Sequence, residues 1–283
     1  MHSTSPTLWV VATPLGNLGD ITERAKDVLA SADLIFAEDT RRTGKLLQSL
    51  GINGKSFVSL HEHNEEKRIK HVLAHFDEGN DAAMVSDAGT PLMSDPGYRV
   101  VRACREHGVR VVPVPGPSAP VTALSGCGLP PYPFSFLGFL PRKEGQMRKL
   151  FEVYGQTGAT IVFFERKSRL RETMHLAFEV LGNREFAICR ELTKDYEEFI
   201  NGDLADWEDV SEELRGEITV VVGPPVNEGP ASEEEIFDMI DAEMKSGDKP
   251  KVIARRIAEK VEGWTAKAVY EKVTERKKGL SED

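Results

Sequence analysis

Leu8-Trp9-Val10-Val11-Ala12 runs straight into Thr13-Pro14-Leu15-Gly16-Asn17-Leu18-Gly19-Asp20, an apolar run that stops at a loop of glycine, proline and small polar residues. An unbroken apolar run of this length suits a strand buried on both faces, and a loop of this kind leading into an amphipathic segment is the strand-to-helix step of an α/β sheet. Asp20 before Ile21, with Glu23 three residues later, predicts a capped helix start, and Ala25, Val28 and Leu29 then share one face. No Gly-x-Gly-x-x-Gly follows this first strand, which disfavours a dinucleotide fold and the ordinary Rossmann methyltransferase.

Outward from this stretch the pattern repeats. Residues 34–37, 57–60, 82–85 and 109–114 read as further strands, with helical segments between most of them. Gly126-Cys127-Gly128-Leu129-Pro130-Pro131-Tyr132-Pro133 crowds breakers together and marks a domain junction. Beyond it, strand-like runs at 134–139, 160–164, 186–189 and 218–222 alternate with helical stretches near 148–154 and 170–181. After Gly223-Pro224-Pro225 come three helical segments near 233–245, 252–261 and 265–277. The expected organisation is therefore an α/β domain over 1–126, a second over 127–227 and a small helical tail over 228–283.

The chain has 283 residues, of which 40% are hydrophobic and 29% charged, the balance of a globular protein with a sizeable core. Its first apolar run lacks a basic flank and is far too short to span a bilayer, so neither a signal peptide nor a membrane partner is expected. Cys104, Cys127 and Cys189 are odd in number and widely spaced, which suits neither a disulfide framework nor a zinc cluster and points to a reducing cytoplasm. The net charge of -10 is unevenly spread: residues 195–245 hold 17 acidic and 2 basic side chains, whereas 246–283 hold 10 basic and 7 acidic. An acidic total therefore does not exclude RNA, and Lys249, Lys251, Arg255 and Arg256 make the tail a candidate RNA-facing element.

Three loops rich in glycine and proline follow predicted strands, at 13–20, 86–97 and 113–119, and ligands in open α/β sheets sit at such carboxyl ends. Ser86-Asp87-Ala88-Gly89-Thr90-Pro91-Leu92-Met93-Ser94-Asp95-Pro96-Gly97 combines small residues, aspartates and prolines as a rigid pocket wall would. Pro115-Gly116-Pro117-Ser118-Ala119 stiffens the approach to a helix, with Ser118 as its N-cap. Two polar clusters, Glu38-Asp39-Thr40-Arg41-Arg42-Thr43 and His61-Glu62-His63-Asn64-Glu65, also follow strands. His61 and His63 could hold a divalent ion, but no further cluster of matching ligands accompanies them and no metal is expected.

In this order and spacing, these motifs resemble the ribosomal RNA small subunit methyltransferases I, a branch of the tetrapyrrole methylases. Phe139-Leu140-Pro141 and Arg190-Glu191-Leu192-Thr193-Lys194 add to the likeness, which covers about residues 8–224; the basic tail looks like the small helix-turn-helix region of many members. The resemblance implies a two-domain tetrapyrrole-methylase fold with a helical extension, commonly a homodimer. It also implies methyl transfer from S-adenosylmethionine to the ribose 2'-oxygen of a cytidine in the decoding region of small-subunit rRNA, either free or in the assembled 30S subunit. One departure stands out: after Phe164-Glu165 the family usually has a small residue, Pro and His before Arg-Leu, where this chain has Arg166-Lys167-Ser168-Arg169-Leu170.

By that resemblance Pro14, Asp87, Ala88, Gly89, Ser118 and Ala119 are expected to bind the cofactor, with Leu140 covering it from the second domain. The ribose hydroxyl needs a general base within hydrogen-bond reach, for which His63, Glu38 and Asp39 are the candidates. Arg41 and Arg42 suit phosphates, with His61 and Asn64 beside them on the RNA side. A tetrapyrrole substrate would require a deep apolar pocket, whereas these loops are spent on arginine and histidine. A non-catalytic RNA-binding protein would account for the basic tail but not for three loops of cofactor type.

Overall fold

The computed structural model describes residues 6–61, 64–211, 213–225, 232–261 and 263–279. Residues 1–225 form one compact unit and 226–283 another.

The first half of the larger unit carries the strands β1 (Thr7–Val11), β2 (Leu34–Ala37), β3 (Ser56–Ser59), β4 (Ala82–Val85) and β5 (Arg110–Val114). They lie in the order β3-β2-β4-β1-β5, every neighbouring pair parallel, with Leu8 opposite Ala82 and Val111. Parallel strands need helical crossovers, and these are α1 (Glu23–Ser31), α2 (Thr40–Ser49), α3 (Glu65–Asp77) and α4 (Tyr98–Glu106). Alternation along the strands divides the core: Val11, Ile35 and Val85 face α1 and α2, whereas Leu8, Phe36 and Met84 face α3 and α4. From β1 the chain winds towards β2 and β3 and from β4 it winds the other way to β5, so the switch-point crevice where doubly wound sheets bind ligands lies at the carboxyl ends of β4 and β1.

The short helix α5 (Ala119–Gly126) leads to a second sheet of β6 (Phe134–Phe139), β7 (Thr160–Glu165), β8 (Glu185–Arg190), β9 (Glu198–Asp203) and β10 (Ile218–Val222). Its order is β6-β7-β10-β8-β9, with only β6 and β7 parallel. Helices α6 (Glu144–Gly155) and α7 (Leu170–Leu181) cover one face through Met147, Phe151, Met174 and Ala177. The other face packs against α5, whose Ala123 and Leu124 meet Val162, Ala187 and Val221, and Asn201 donates to the Cys127 carbonyl at 2.7 Å. The Gly126 region thus ends the helix that joins the two sheets.

The smaller unit comprises α8 (Glu233–Met244), α9 (Pro250–Ala258) and α10 (Ala266–Gly279) around Ile236, Ile240, Ile253, Ile257, Val269 and Val273. Ser232 and Glu235 close a reciprocal capping box at its start.

Several local expectations need correction. The N-cap of α1 is Thr22, which accepts from the Ala25 amide, while Asp20 closes a preceding 3-10 turn that Asn17 caps. Threonine two residues later competes successfully because its hydroxyl reaches the third helical amide. Ser118 occupies the N-cap position of α5 but makes no side-chain cap bond. Strand β9 is not expected from the sequence, since Glu198-Phe199-Ile200-Asn201-Gly202-Asp203 is an edge strand with mixed polarity and gives no apolar run. Among the described residues no helix is long and apolar enough to cross a membrane. All three cysteines are buried free thiols, and burial pushes Cys104 up to about 11 and Cys189 up to about 12.

Candidate active site

The three loops meet at the switch point. Thr13, two residues past β1, exchanges both backbone hydrogen bonds with Gly89 past β4, at 2.9 and 3.0 Å. Thr90 Oγ1 then donates to the Pro117 carbonyl at 2.9 Å, joining the second loop to the third. Gly89 has φ +76, where a side chain is strained, and a Cβ there would press on Leu15; a Cβ on Gly116 would press on Ala12. Glycine at these points lets one backbone lie on the next. Pro14 and Gly89 are buried and Asp87, Ala88, Ser118 and Ala119 half-buried around this junction, so the structure gathers the residues expected to bind the cofactor, Leu140 excepted.

Leu140 is different. It is 3% exposed and belongs to the core of the second sheet, because the register shift between Phe136 and Phe139 turns it inward and leaves Phe139 57% exposed in its place.

Around the junction stand carboxylates. Asp87 accepts from the Asp39 amide at 3.0 Å with one oxygen and pairs with Arg42 at 3.1 Å with the other. Asp39 itself caps α2, accepting from the Arg41 and Arg42 amides at 2.8 and 3.4 Å, while the Arg41 guanidinium lies 3.2 Å from its second oxygen. That side-chain bond from Arg41, with the backbone bonds, lowers Asp39 to about 2. Glu38 is raised above the usual carboxylate range, first by burial and then by the charge of Asp87. Asp95 is raised to about 6, chiefly by burial and further by Glu38 and Asp87, although a bond from Ser86 opposes the shift. The sequence does not single out Asp95 as a site residue, because Asp-Pro-Gly also spells an ordinary turn. The signal lies in the run around it, where Leu92 and Ser94 both take φ +72, a strain that functional loops carry.

The second polar cluster proves partly structural. His63, with Glu62, lies outside the described residues. Asn64 takes the His61 amide on its carbonyl oxygen at 2.9 Å and donates to the Ser59 carbonyl at 3.1 Å, so its amide closes the turn after β3. His61 is exposed at the same turn. Buried Glu65 reaches across to accept from the Arg99 and Val100 amides at 2.6 and 3.1 Å, supplying the N-terminal cap that Gly97 cannot give α4. Arg41 and Arg42 are 87% and 67% exposed, yet each already holds a site carboxylate, so a phosphate would have to share them.

The second half reaches the same junction through two glycines. Gly16 has no room for a Cβ beside the Lys194 stem, and Gly138 none beside Ser94. Lys194 is held by Glu191 and Glu217 at 3.0 Å each, in a turn where Glu191 and Thr193 adopt φ +49 and +68. This is the physical content of the Arg190-Glu191-Leu192-Thr193-Lys194 motif: a strained turn that lays a lysine against the first loop. Among the described residues no group of three His, Cys, Asp or Glu is arranged to hold a metal ion.

A parallel switch-point sheet bonded to a mixed second sheet, with three interlocked loops at the carboxyl ends, is the build of one methylase class. Residues 7–208 match the family described as Tetrapyrrole (Corrin/Porphyrin) Methylases, and the chain belongs to that family. Within it, the chain is 43% identical over 278 residues to a "Ribosomal RNA small subunit methyltransferase I" of Mesorhizobium japonicum, covering 96% of this chain and 92% of the relative. It is 46% identical over 233 residues to the protein of the same name in Escherichia coli O157:H7, covering 81% and 79%. Among solved structures, the methyltransferase CobJ shares the fold with a TM-score of 0.61 at 18% identity, over 81% of this chain and 97% of that one.

Proposed function

We propose that the chain transfers a methyl group from S-adenosylmethionine to the ribose 2'-oxygen of a cytidine in the decoding region of small-subunit rRNA. The observation that carries this reading is the interlock of the three loops, Thr13 with Gly89 and Thr90 with Pro117, next to an acidic wall. The residues fit the cofactor's chemistry: its sulfonium and ammonium groups are cationic, and Asp87, Glu38 and Asp95 are clustered carboxylates, two of them raised by burial and by the other charges. Glycines at 89 and 116, where a Cβ would press on Leu15 and Ala12, supply close backbone approach. Relatives that carry the ribosomal name over most of their length favour RNA over a tetrapyrrole.

When bound, S-adenosylmethionine supplies an electrophilic methyl on a sulfonium whose charge disappears on transfer. The protein's share is alignment, to contacts of about 3–3.5 Å, and custody of one proton. Pro14, Asp87, Ala88, Gly89, Ser118 and Ala119 hold the donor side. The ribose hydroxyl that accepts the methyl would give its proton to a base on this chain. Glu38 suits that duty better than Asp39, which is committed to capping α2 and lowered to about 2. Asp95 and His63 are the other candidates. Since Glu38 is raised, its ionised form is lost as pH falls through a value above the ordinary carboxylate range. Activity should therefore decline there, and Glu38→Gln should remove that limb while lowering kcat by about 10²–10⁴.

The domains are read as 1–126, 127–227 and 228–283, the assembly as a homodimer and the compartment as the cytoplasm; light scattering tests the dimer. The substrate test incubates the protein with methyl-labelled S-adenosylmethionine and isolated small subunits, alongside free rRNA, and maps the labelled nucleotide. Label at a base, or none in rRNA, would overturn the assignment.

A further inference from the structure

Strands β6 and β7 run parallel at the edge of the second sheet, so the segments leaving their carboxyl ends emerge side by side. Between them is a cavity of about 260 Å³ whose lining includes Phe139, Arg142, Glu165, Arg166 and Arg169. Its floor is fully satisfied. Glu165, 3% exposed, accepts from the Arg166 amide and from Thr173 Oγ1, both at 2.8 Å, and lies 3.5 Å from Arg169. Arg169 in turn donates to the Leu140 and Pro141 carbonyls at 3.2 and 2.7 Å, bracing one segment against the other.

The rim is the opposite. Arg142 and Arg166 are exposed, and neither guanidinium meets a carboxylate among the described residues. Beside them the exposed Phe139 ring leans on Phe164 with centroids 5.3 Å apart, and Phe164 is braced edge-on by Phe136 at 5.0 Å. Two unpaired guanidinium groups and a supported, exposed aromatic face are the pair of features that single-stranded RNA requires, one for phosphate and one for base stacking. Gly138, the residue before Phe139, lies against Ser94 of the loop assigned to the cofactor, so this rim adjoins the reacting centre.

We infer that this cavity takes one unpaired nucleotide flanking the methylated cytidine, its base on Phe139 and its phosphate between Arg142 and Arg166. The inference rests on the RNA reading above. Every side chain involved is exposed, so substitution leaves the core intact. The test measures Phe139→Ala, Arg142→Ala and Arg166→Ala in the full-length protein. The readouts are KM and kcat on isolated small subunits, binding of a fluorescein-labelled single-stranded decoding-region oligoribonucleotide across salt, and S-adenosylmethionine affinity by calorimetry. Phe139→Ala should weaken oligonucleotide binding about tenfold through the missing stacking surface. Each arginine variant should weaken it less and flatten the salt slope by about 0.7 for every phosphate that is no longer neutralised. KM should rise with kcat and cofactor affinity retained. Cofactor affinity that falls while RNA binding holds would assign the cavity to S-adenosylmethionine and overturn the inference, as would three variants with wild-type constants. Failure of the functional reading looks different: wild-type protein would itself place no label in rRNA, and both would fall together.

Discussion

Asp87→Ala separates what the second loop does for the fold from what it does for the ligand. Removing the carboxylate leaves the half-buried Asp39 amide without its acceptor at 3.0 Å, a loss of about 1–3 kcal/mol. The Arg42 pair adds little, since that guanidinium is 67% exposed and such pairs are worth about 0–1 kcal/mol. Relief of repulsion on Glu38 and Asp95 works the other way. The net change should be about 1–2 kcal/mol, which for a unit of this size lowers Tm by about 2–8 °C. The loss of a charge-assisted bond to a cationic ligand is larger in effect, about 1.5–3 kcal/mol, or roughly 10- to 150-fold in Kd. Asp87→Asn retains an acceptor for the Asp39 amide, so it should melt close to wild type yet still bind S-adenosylmethionine weakly. Thermal melts and calorimetry on both variants give the answer. A folded Asp87→Ala protein with wild-type cofactor affinity would show that the ligand lies elsewhere.

Other perturbations test neighbouring parts. Asp95, raised to about 6 from an ordinary value near 3.8, favours its protonated form in the folded state, so its penalty is absent below about pH 4 and grows as pH rises through 6. Asp95→Asn should therefore stabilise the protein at pH 8 by on the order of 2 kcal/mol and not at pH 4; equal Tm differences at both would refute the burial argument. EDTA should leave methylation unchanged provided the ribosomal substrate stays folded, and loss of activity restored by one divalent ion would move His61 and His63 to a metal site. In the tail, Arg256 is held by Glu243 and Asp248 at 2.6 and 2.9 Å, but Lys251 and Lys267 line a cleft with Tyr270 and meet no carboxylate among the described residues. Lys251→Glu with Lys267→Glu should weaken subunit binding and flatten its salt slope without changing cofactor affinity, and an unchanged slope would remove the tail from the RNA interface. A deletion test should begin at 226, since cutting at 246 strips α9 and α10 from Ile236 and Ile240 of α8.

Central strands are legible in the sequence because they are buried on both faces and therefore read as unbroken apolar runs, so residues 34–37, 82–85 and 218–222 coincide with β2, β4 and β10; the aromatic run 134–139 coincides with β6 although that strand is a partly exposed edge. Edge strand β9 and the cap at Thr22 are not, because an edge tolerates polar residues and two hydroxyl or carboxyl groups two positions apart compete for one helix start. The convergence of loops 13–20, 86–97 and 113–119 follows from their place after parallel strands. What no spacing reveals is which polar side chain serves the backbone. Asn64 and Glu65 sit in one short motif as if for catalysis, yet one closes a turn and the other caps a helix 34 residues away. The burial of Leu140 is not legible for a related reason, since a single register shift in β6 decides which of two neighbours faces the core.

Those backbone duties also bear on how an acidic chain can bind RNA. Asp39, Glu65 and Asp81 accept from amides at the starts of α2, α4 and β1, and Glu165 and Glu191 do so in the second half. Part of the net charge of -10 is thus committed to holding backbone. At the loop junction Arg41 pairs with Asp39 and Arg42 with Asp87, which limits the repulsion an approaching phosphate meets. The cations that carry no such duty, Arg142 and Arg166 on the rim and Lys251 and Lys267 in the tail, are the ones whose counterions RNA phosphates can replace. Recognition depends on the local balance of unpaired charge within about 10 Å, the screening length near physiological salt, so the total over the chain does not decide it.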